Sequence, residues 1–269
     1  MITLHLQHDV ATQATPTPRA MDIAAMFGLA LDGSTNHPII PPIELTLAPG
    51  ELAFVTGSSG GGKSTLLRLI NEALSKEVSG GRGRACEPPE QAGLNAARAV
   101  RSGGSQAPPR PPMSPALICS DDLPKLTDAA LVDALARPEG DGHAAPPPAT
   151  LEQVCRWLSL AGLNDAAVML RKPSQLSEGQ RHRLKLAQAM AVAERRPEPW
   201  AVLLIDEFGS TLDRPTAFAL ARCVRRWVTG SDVCLVCATT HDDLLEPLWP
   251  DVLVEVAPGG VCEVHRRVV

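Results

Sequence analysis

A five-residue apolar run, Leu52–Thr56, leads into Gly57-Ser-Ser-Gly-Gly-Gly-Lys63-Ser64, and residues 64–74 then carry Leu66, Leu67, Ile70 and Leu74 at helical spacing. No other feature constrains the fold as much, because G-x-x-x-x-G-K-[ST] has meaning only between a buried strand and the start of a helix. Glycines there let backbone N–H groups close around phosphate oxygens without obstruction by Cβ, and the helix N-terminus adds partial positive charge. The residues placed to cradle a triphosphate are Gly57, Ser58, Ser59, Gly60, Gly61, Gly62, Lys63, Ser64 and Thr65. Lys63 would reach the β and γ phosphates, and the Ser64 hydroxyl would take a Mg²⁺ position. Taken alone, the motif does not separate ATPases from GTPases or small-molecule kinases.

Further short runs at 117–119, Ala201–Ile205 and Val233–Ala238 are apolar throughout, as strands of a parallel sheet covered on both faces are. The expected fold class is therefore α/β, a P-loop NTPase core whose mostly parallel sheet is flanked by helices. With 269 residues, 44% of them hydrophobic, the chain can bury one substantial core in a single domain. Residues 79–115 depart from this pattern: 13 of the 37 are Gly or Pro, which predicts a disordered insert. Residues 138–149, with Pro146, Pro147 and Pro148, predict a stiff exposed loop inside a helical subdomain spanning 120–175. Helices are predicted there over 128–136 and 151–161.

No run reaches the roughly 18–20 apolar residues of a membrane span, and the first twenty residues lack a signal peptide's apolar core, so a cytoplasmic protein is expected. Seven scattered cysteines fit reduced thiols. Cys234 and Cys237 form a C-x-x-C, yet they lie inside an apolar run and read as core residues. The net charge of -5 gives no general attraction for nucleic acid or the ribosome.

Two more segments carry chemistry. Ala201–Ile205 runs straight into Asp206 and Glu207, delivering two carboxylates to the carboxyl end of a buried strand, where α/β sheets hold their ligands. Asp206 suits a Mg²⁺ shell. Glu207 is placed to accept a proton from an attacking water, a role worth typically about 10²- to 10⁴-fold in rate. The plain alternative is a pair that merely ends the strand. Leu176-Ser-Glu-Gly-Gln180 opens a helix running to about 194, with Leu184, Ala187 and Ala191 on one face. Ser177 and Gln180 have capping-box spacing, which an ordinary N-cap explains by itself.

LSEGQ followed by Arg181-His-Arg-Leu-Lys-Leu-Ala resembles the signature motif of ATP-binding cassette proteins, and it lies between phosphate loop and acidic strand as in that family. Ser210-Thr-Leu-Asp213 resembles the family's D-loop, and Thr239-Thr240-His241 its switch histidine; the likeness covers about 27–256. It implies an ABC-type helical subdomain and an ATPase that binds Mg²⁺ and ATP at the interface of two cassettes arranged head to tail, as a homodimer or with a second cassette. It also implies that Ser177, Gly179 and Gln180 face the partner's ATP, that His241 contacts the γ-phosphate of the chain's own, that Asp213 lines the interface, and that Glu207, His241 and Lys63 are catalytic.

Two departures stand out. The glutamine that the family places after the strand preceding the helical subdomain is replaced by Ser120-Asp121-Asp122. The chain has no Tyr, which leaves Phe27 as the candidate for stacking on adenine. The wording IDEFGSTLDRPTA, ATTHDD and WPDV resembles soluble, non-transporter cassettes more than importer or exporter subunits. Two functions follow: a stand-alone ATPase acting on a macromolecule, or the energising subunit of a membrane transporter whose membrane domain is another chain.

Overall fold

Strands that are apolar at every position must be covered on both sides, and the sheet of this protein is. The computed structural model describes residues 1–11, 17–28, 36–82, 114–137 and 147–267. In chain order the elements are β1 (Ile2–Ala11), α1 (Pro18–Phe27), β2 (Asn36–Leu47), β3 (Leu52–Thr56), α2 (Lys63–Arg82), β4 (Ala116–Cys119), α3 (Leu131–Ala136), α4 (Leu151–Leu160), α5 (Ala166–Met169), α6 (Glu178–Arg195), β5 (Ala201–Ile205), α7 (Arg214–Thr229), β6 (Val233–Ala238), α8 (Leu245–Leu248), β7 (Val252–Ala257) and β8 (Val261–Arg266). A six-stranded sheet runs β4-β5-β6-β3-β7-β8, parallel except for the antiparallel edge strand β8, while β1 and β2 form a separate antiparallel ribbon. The α/β expectation holds.

Alternate residues of each central strand feed different cores. On one face Leu52, Phe54, Leu203, Ile205, Leu235 and Cys237 pack with α6, α7 and the small helices α3, α4 and α5. On the other, Ala53, Val55, Val202, Leu204, Cys234 and Val236 pack with Leu66, Leu67, Ile70 and Leu74 of α2 and with the β1–β2 ribbon. Each fully buried Leu or Val contributes about 1.5–3 kcal/mol, so a register slip that turned such a strand over would be strongly opposed. Cys234 and Cys237 thus lie on opposite faces of β6, both fully buried. Burial pushes the Cys237 thiol up to about 12 and the Cys234 thiol higher still, as expected of core thiols rather than a redox or metal pair.

The helices begin where local chemistry satisfies their first N–H groups. Thr150 caps α4 in a reciprocal box with Gln153, and Ser177 caps α6 in the same way with Gln180. Asp213 accepts from the Thr216 amide at 3.0 Å and starts α7. That helix buries Ala217, Leu220, Ala221, Val224, Trp227 and Val228, a stripe at three- and four-residue spacing, and ends at Gly230. One carboxylate binds three of these helices together: Glu194 of α6 accepts from Arg156 and the Trp157 indole of α4, each at 2.8 Å, and from the Trp227 indole of α7 at 2.7 Å.

Some boundaries differ from the sequence expectation. The helix predicted from 128 starts only at Leu131, because Asp128 instead accepts from Ser174 at 2.8 Å and pairs with Lys172 at 3.3 Å. Helix α2 continues past the predicted start of the insert at 79 and ends at Arg82. The rest of the insert, 83–113, and most of the proline-rich loop, 138–146, lie outside the described residues, as does the side chain of Phe27. Among the described residues no helix is long and apolar enough to cross a membrane.

Asp251, just before β7, joins three parts of the sheet layer. Its carboxylate accepts from the Leu52 amide at 2.9 Å, from Arg225 of α7 at 2.6 and 3.1 Å, and from Arg267 after β8. Burial pushes its pKa up, but the Arg225 hydrogen bonds, the Leu52 amide and the charge of Arg267 outweigh that and hold the carboxyl below the usual range. A folded-state pKa below the unfolded value of about 4 stabilises the fold above that value and stops doing so as pH falls through the folded one. Asp251→Asn should therefore cost on the order of 2 kcal/mol at pH 7, and its difference from wild type should shrink steadily as pH falls below about 4, as read by urea unfolding across that range. The glycines of the turn after β3 give a second test. Gly57, at φ +140°, passes so close to the Val256 carbonyl of β7 that a Cβ would collide with backbone, whereas around Gly60, at φ +76°, nothing lies within 4 Å. Gly57→Ala should destabilise far more than Gly60→Ala, whose cost should be only the αL penalty of about 1–2 kcal/mol; equal melting temperatures would contradict this packing.

Candidate functional site

Parallel strands in register end together, and here β3, β5 and β6 finish at one edge of the sheet. Val55 pairs with Ala238, and Ile205 with Cys237, so the residues after each strand meet in one place. They line a cleft of about 330 Å³ bounded by Ser59, Gly60, Gly62, Lys63, Ser64 and Thr65 from the glycine loop, Asp206, Glu207 and Ser210 after β5, and Thr239 and Thr240 after β6.

The loop residues divide the work. Lys63 is buried, and its ammonium donates to the carbonyls of Gly57 and Ser58, each at 2.8 Å. That holds the charge along the loop wall instead of in solvent. The Gly61 amide donates to the Ser58 carbonyl at 3.1 Å and closes the turn from behind. Gly57, Ser58 and Gly61 therefore shape the loop, while the other six predicted residues face the cleft. Gly62, at φ +107°, lets the chain pass the side chains of Ile39 and Ile40, which a Cβ would meet at 3.1 and 3.4 Å.

Beyond β5 the backbone is held in an unusual conformation. Glu207 has φ +52°, a left-handed value that costs a non-glycine residue roughly 1–2 kcal/mol. Two hydrogen bonds fix it: the Glu207 amide donates to its neighbour Asp206 Oδ1 at 2.8 Å, and the Phe208 amide donates to the Ala238 carbonyl at 2.9 Å. Phe208 is fully buried, so the kink sends the Phe208 ring into the core and leaves the Glu207 carboxylate exposed at the cleft. The sequence placed the acidic pair at a strand end; it carried no sign of this strain.

After β6, the Thr239 amide donates to the Val55 carbonyl at 3.1 Å, and its hydroxyl accepts from the His241 amide at 3.2 Å. Thr56 donates to Asp242, which ties the end of β3 to the segment carrying His241. His241 itself is half-buried just past the cleft-lining threonines. Sequence reasoning missed Ser210, Thr239 and Thr240 as site residues, although all three stand in the motifs it quoted.

Ser177, Gly179, Gln180 and Asp213 do not line this cleft. Ser177 is exposed at the start of α6, its hydroxyl accepting from the Gln180 amide at 3.3 Å while the Gln180 side chain accepts from the Ser177 amide at 3.1 Å. Asp213 is an exposed N-cap whose carboxyl is held below the usual range by the Thr216 amide. The Ser120-Asp121-Asp122 segment adjoins the site from another side: Ser120 and Asp121 line a second cleft, of about 280 Å³, that shares Asp206, Glu207 and Ser210 with the first.

Ser64 and Asp206 offer a hydroxyl and a carboxylate in one cleft beside a buried ammonium. Such hard oxygen donors suit Mg²⁺, and the glycine loop with Lys63 suits the phosphates that accompany it.

Comparison with known proteins shows the family. The family model described as ABC transporter matches residues 40–208. The lipoprotein-releasing system ATP-binding protein LolD of Anaeromyxobacter dehalogenans (strain 2CP-C) is 29% identical over 94% of this chain and 97% of its own length. The aliphatic sulfonates import ATP-binding protein SsuB 1 of Xanthomonas axonopodis pv. citri (strain 306) is 32% identical over 85% of this chain and 79% of its own. Some relatives are longer, the chain spanning 48% of an iron import ATP-binding protein and 55% of a molybdenum one. Among solved structures, the dimeric post-hydrolysis state of the ATP-binding cassette MJ0796 bound to ADP and Pi matches with a TM-score of 0.55 at 16% identity, covering 88% of this chain and 94% of that one. The chain belongs to the ABC transporter family and is an ATP-binding cassette ATPase.

Proposed function

We propose that this cassette hydrolyses Mg-ATP in the cleft between β3, β5 and β6 while a second cassette, arranged head to tail, closes over it. The observation that carries the reading is the convergence of Lys63, Ser64, Asp206 and Glu207 on one cleft from three different strand ends. Lys63 and the loop amides hold the phosphates, Ser64 and Asp206 hold the metal, and Glu207 takes a proton from the attacking water. Bound there, Mg²⁺ supplies charge neutralisation on the β and γ phosphate oxygens. The kinked backbone at Glu207 supports the role of base, since it spends strain to keep a carboxylate at the cleft. His241, tied to the cleft through Thr239, contacts the γ-phosphate.

The dimer reading rests on Ser177, Gly179 and Gln180. They stand at the open end of an 18-residue helix, away from the chain's own glycine loop, so the nucleotide they face is a partner's. Asp213 lies at the same interface. The partner is a second copy or another cassette, and the dimeric neighbour structures support this.

What hydrolysis drives has two readings. A stand-alone ATPase acting on a macromolecule is favoured by Ser120-Asp121-Asp122, which lack the glutamine that links cassettes to membrane domains. The energising subunit of a membrane transporter is favoured by relatives such as LolD and SsuB 1, whose names place them in release and import systems. Membrane association only on co-expression with a membrane partner selects the second; turnover stimulated by nucleic acid or ribosomes selects the first.

Glu207→Gln should still bind ATP, hydrolyse it at least about 10²-fold more slowly and accumulate an ATP-bound dimer in size-exclusion chromatography. Unchanged turnover removes Glu207 from its role. Lys63→Ala should lose ATP affinity itself, measured by displacement of a fluorescent nucleotide. Adding Ser177→Arg to the Glu207→Gln chain should abolish the trapped dimer while each monomer still binds ATP; a dimer that persists rules out the head-to-tail arrangement.

A further inference from the structure

The second turn of α6 has a neighbour that the dimer reading does not use. Gly179, His182 and Leu186 are spaced i, i+3 and i+7, one stripe of the helix, and all three face the segment that follows β5. A Cβ on Gly179 would meet Leu212 Cδ2 at 3.3 Å and the Thr211 carbonyl at 3.4 Å. One turn on, His182 and Leu186 line the 280 Å³ cleft whose opposite wall is Asp206, Glu207, Phe208, Ser210 and Thr211. Helix α6 thus touches the segment after β5 at two successive turns, and its first turn begins at the Ser177 cap.

We infer that His182 is a positioning residue for Glu207, joining the base of one nucleotide site to the helix that reaches the other. This rests on the reading of Glu207 as the base and of α6 as the helix facing the partner's nucleotide. The Glu207 carboxylate stands on a kinked backbone with no hydrogen bond to its side chain among the described residues, so its direction is set by what lies beside it. His182 is the side chain of α6 in that cleft that can meet a carboxylate with a short, rigid donor; Lys185, one position from the stripe, is drawn toward Asp121 at 3.9 Å. Burial and the Lys185 charge pull His182 below the ordinary imidazole pKa, against the pull of Glu207, so the ring is a neutral donor rather than a competing cation at neutral pH. A shift of α6 when its N-terminus engages the partner's phosphate would move His182 and reorient Glu207, so each site would feel the occupancy of the other.

A double-mutant cycle in the full-length protein tests this. His182→Ala should lower kcat about ten-fold or more with KM for ATP within about two-fold, and His182→Gln, which keeps an N–H donor, should recover most of the loss. In a Glu207→Gln background His182→Ala should add less than about two-fold, and the ATP-bound dimer should still form. A role in packing alone predicts instead a loss of the same size in both backgrounds, or a raised KM, or no rescue by His182→Gln; each overturns the inference, as does wild-type kcat in His182→Ala. If Glu207→Gln itself turns over normally, the reading of Glu207 fails first and the inference with it.

Discussion

The structure depends on a parallel sheet whose strands are buried on both faces and held in register. Register decides where strands end, and in this chain the ends of β3, β5 and β6 coincide. That brings a glycine loop, two carboxylates and two threonines, separated by up to about 180 residues in sequence, to the edges of one 330 Å³ cleft. Nothing in the loops themselves would achieve this. Burial energy fixes the strands, and the strands position the chemistry.

Polar ties between layers then limit how the parts move. Glu194 takes two indole N–H groups and a guanidinium, locking α6 against α4 and α7. Asp251 collects the start of β3, α7 and the segment after β8. Neither carboxylate lines the cleft. The strain of the site is concentrated at Glu207, whose left-handed backbone is held by Asp206 on one side and the β6 carbonyl of Ala238 on the other.

On the reading proposed above, helix α6 belongs to two nucleotide sites at once. Its capped first turn is exposed and suited to an anion that the chain's own loop does not hold, while its next turns pack against the segment carrying Glu207. A rigid helix of 18 residues cannot shift at one end without shifting at the other.

The sequence by itself determined the strand-loop-helix unit around Lys63, the buried strand ahead of Asp206, and the cap at Ser177, because each is set by residues within a few positions of one another. It also placed Cys234 and Cys237 in the core, since both lie inside an apolar run. Only the tertiary structure decided that Gly57, Ser58 and Gly61 form the back of the loop, that Glu207 is kinked outward, that Asp128 pairs with Ser174 and Lys172 instead of beginning a helix, and that His182 shares a cleft with Glu207. Those facts come from contacts between elements distant in sequence, such as Gly57 against Val256 and Phe208 against Ala238, and local patterning contains no information about which carbonyl will stand where the chain has to turn.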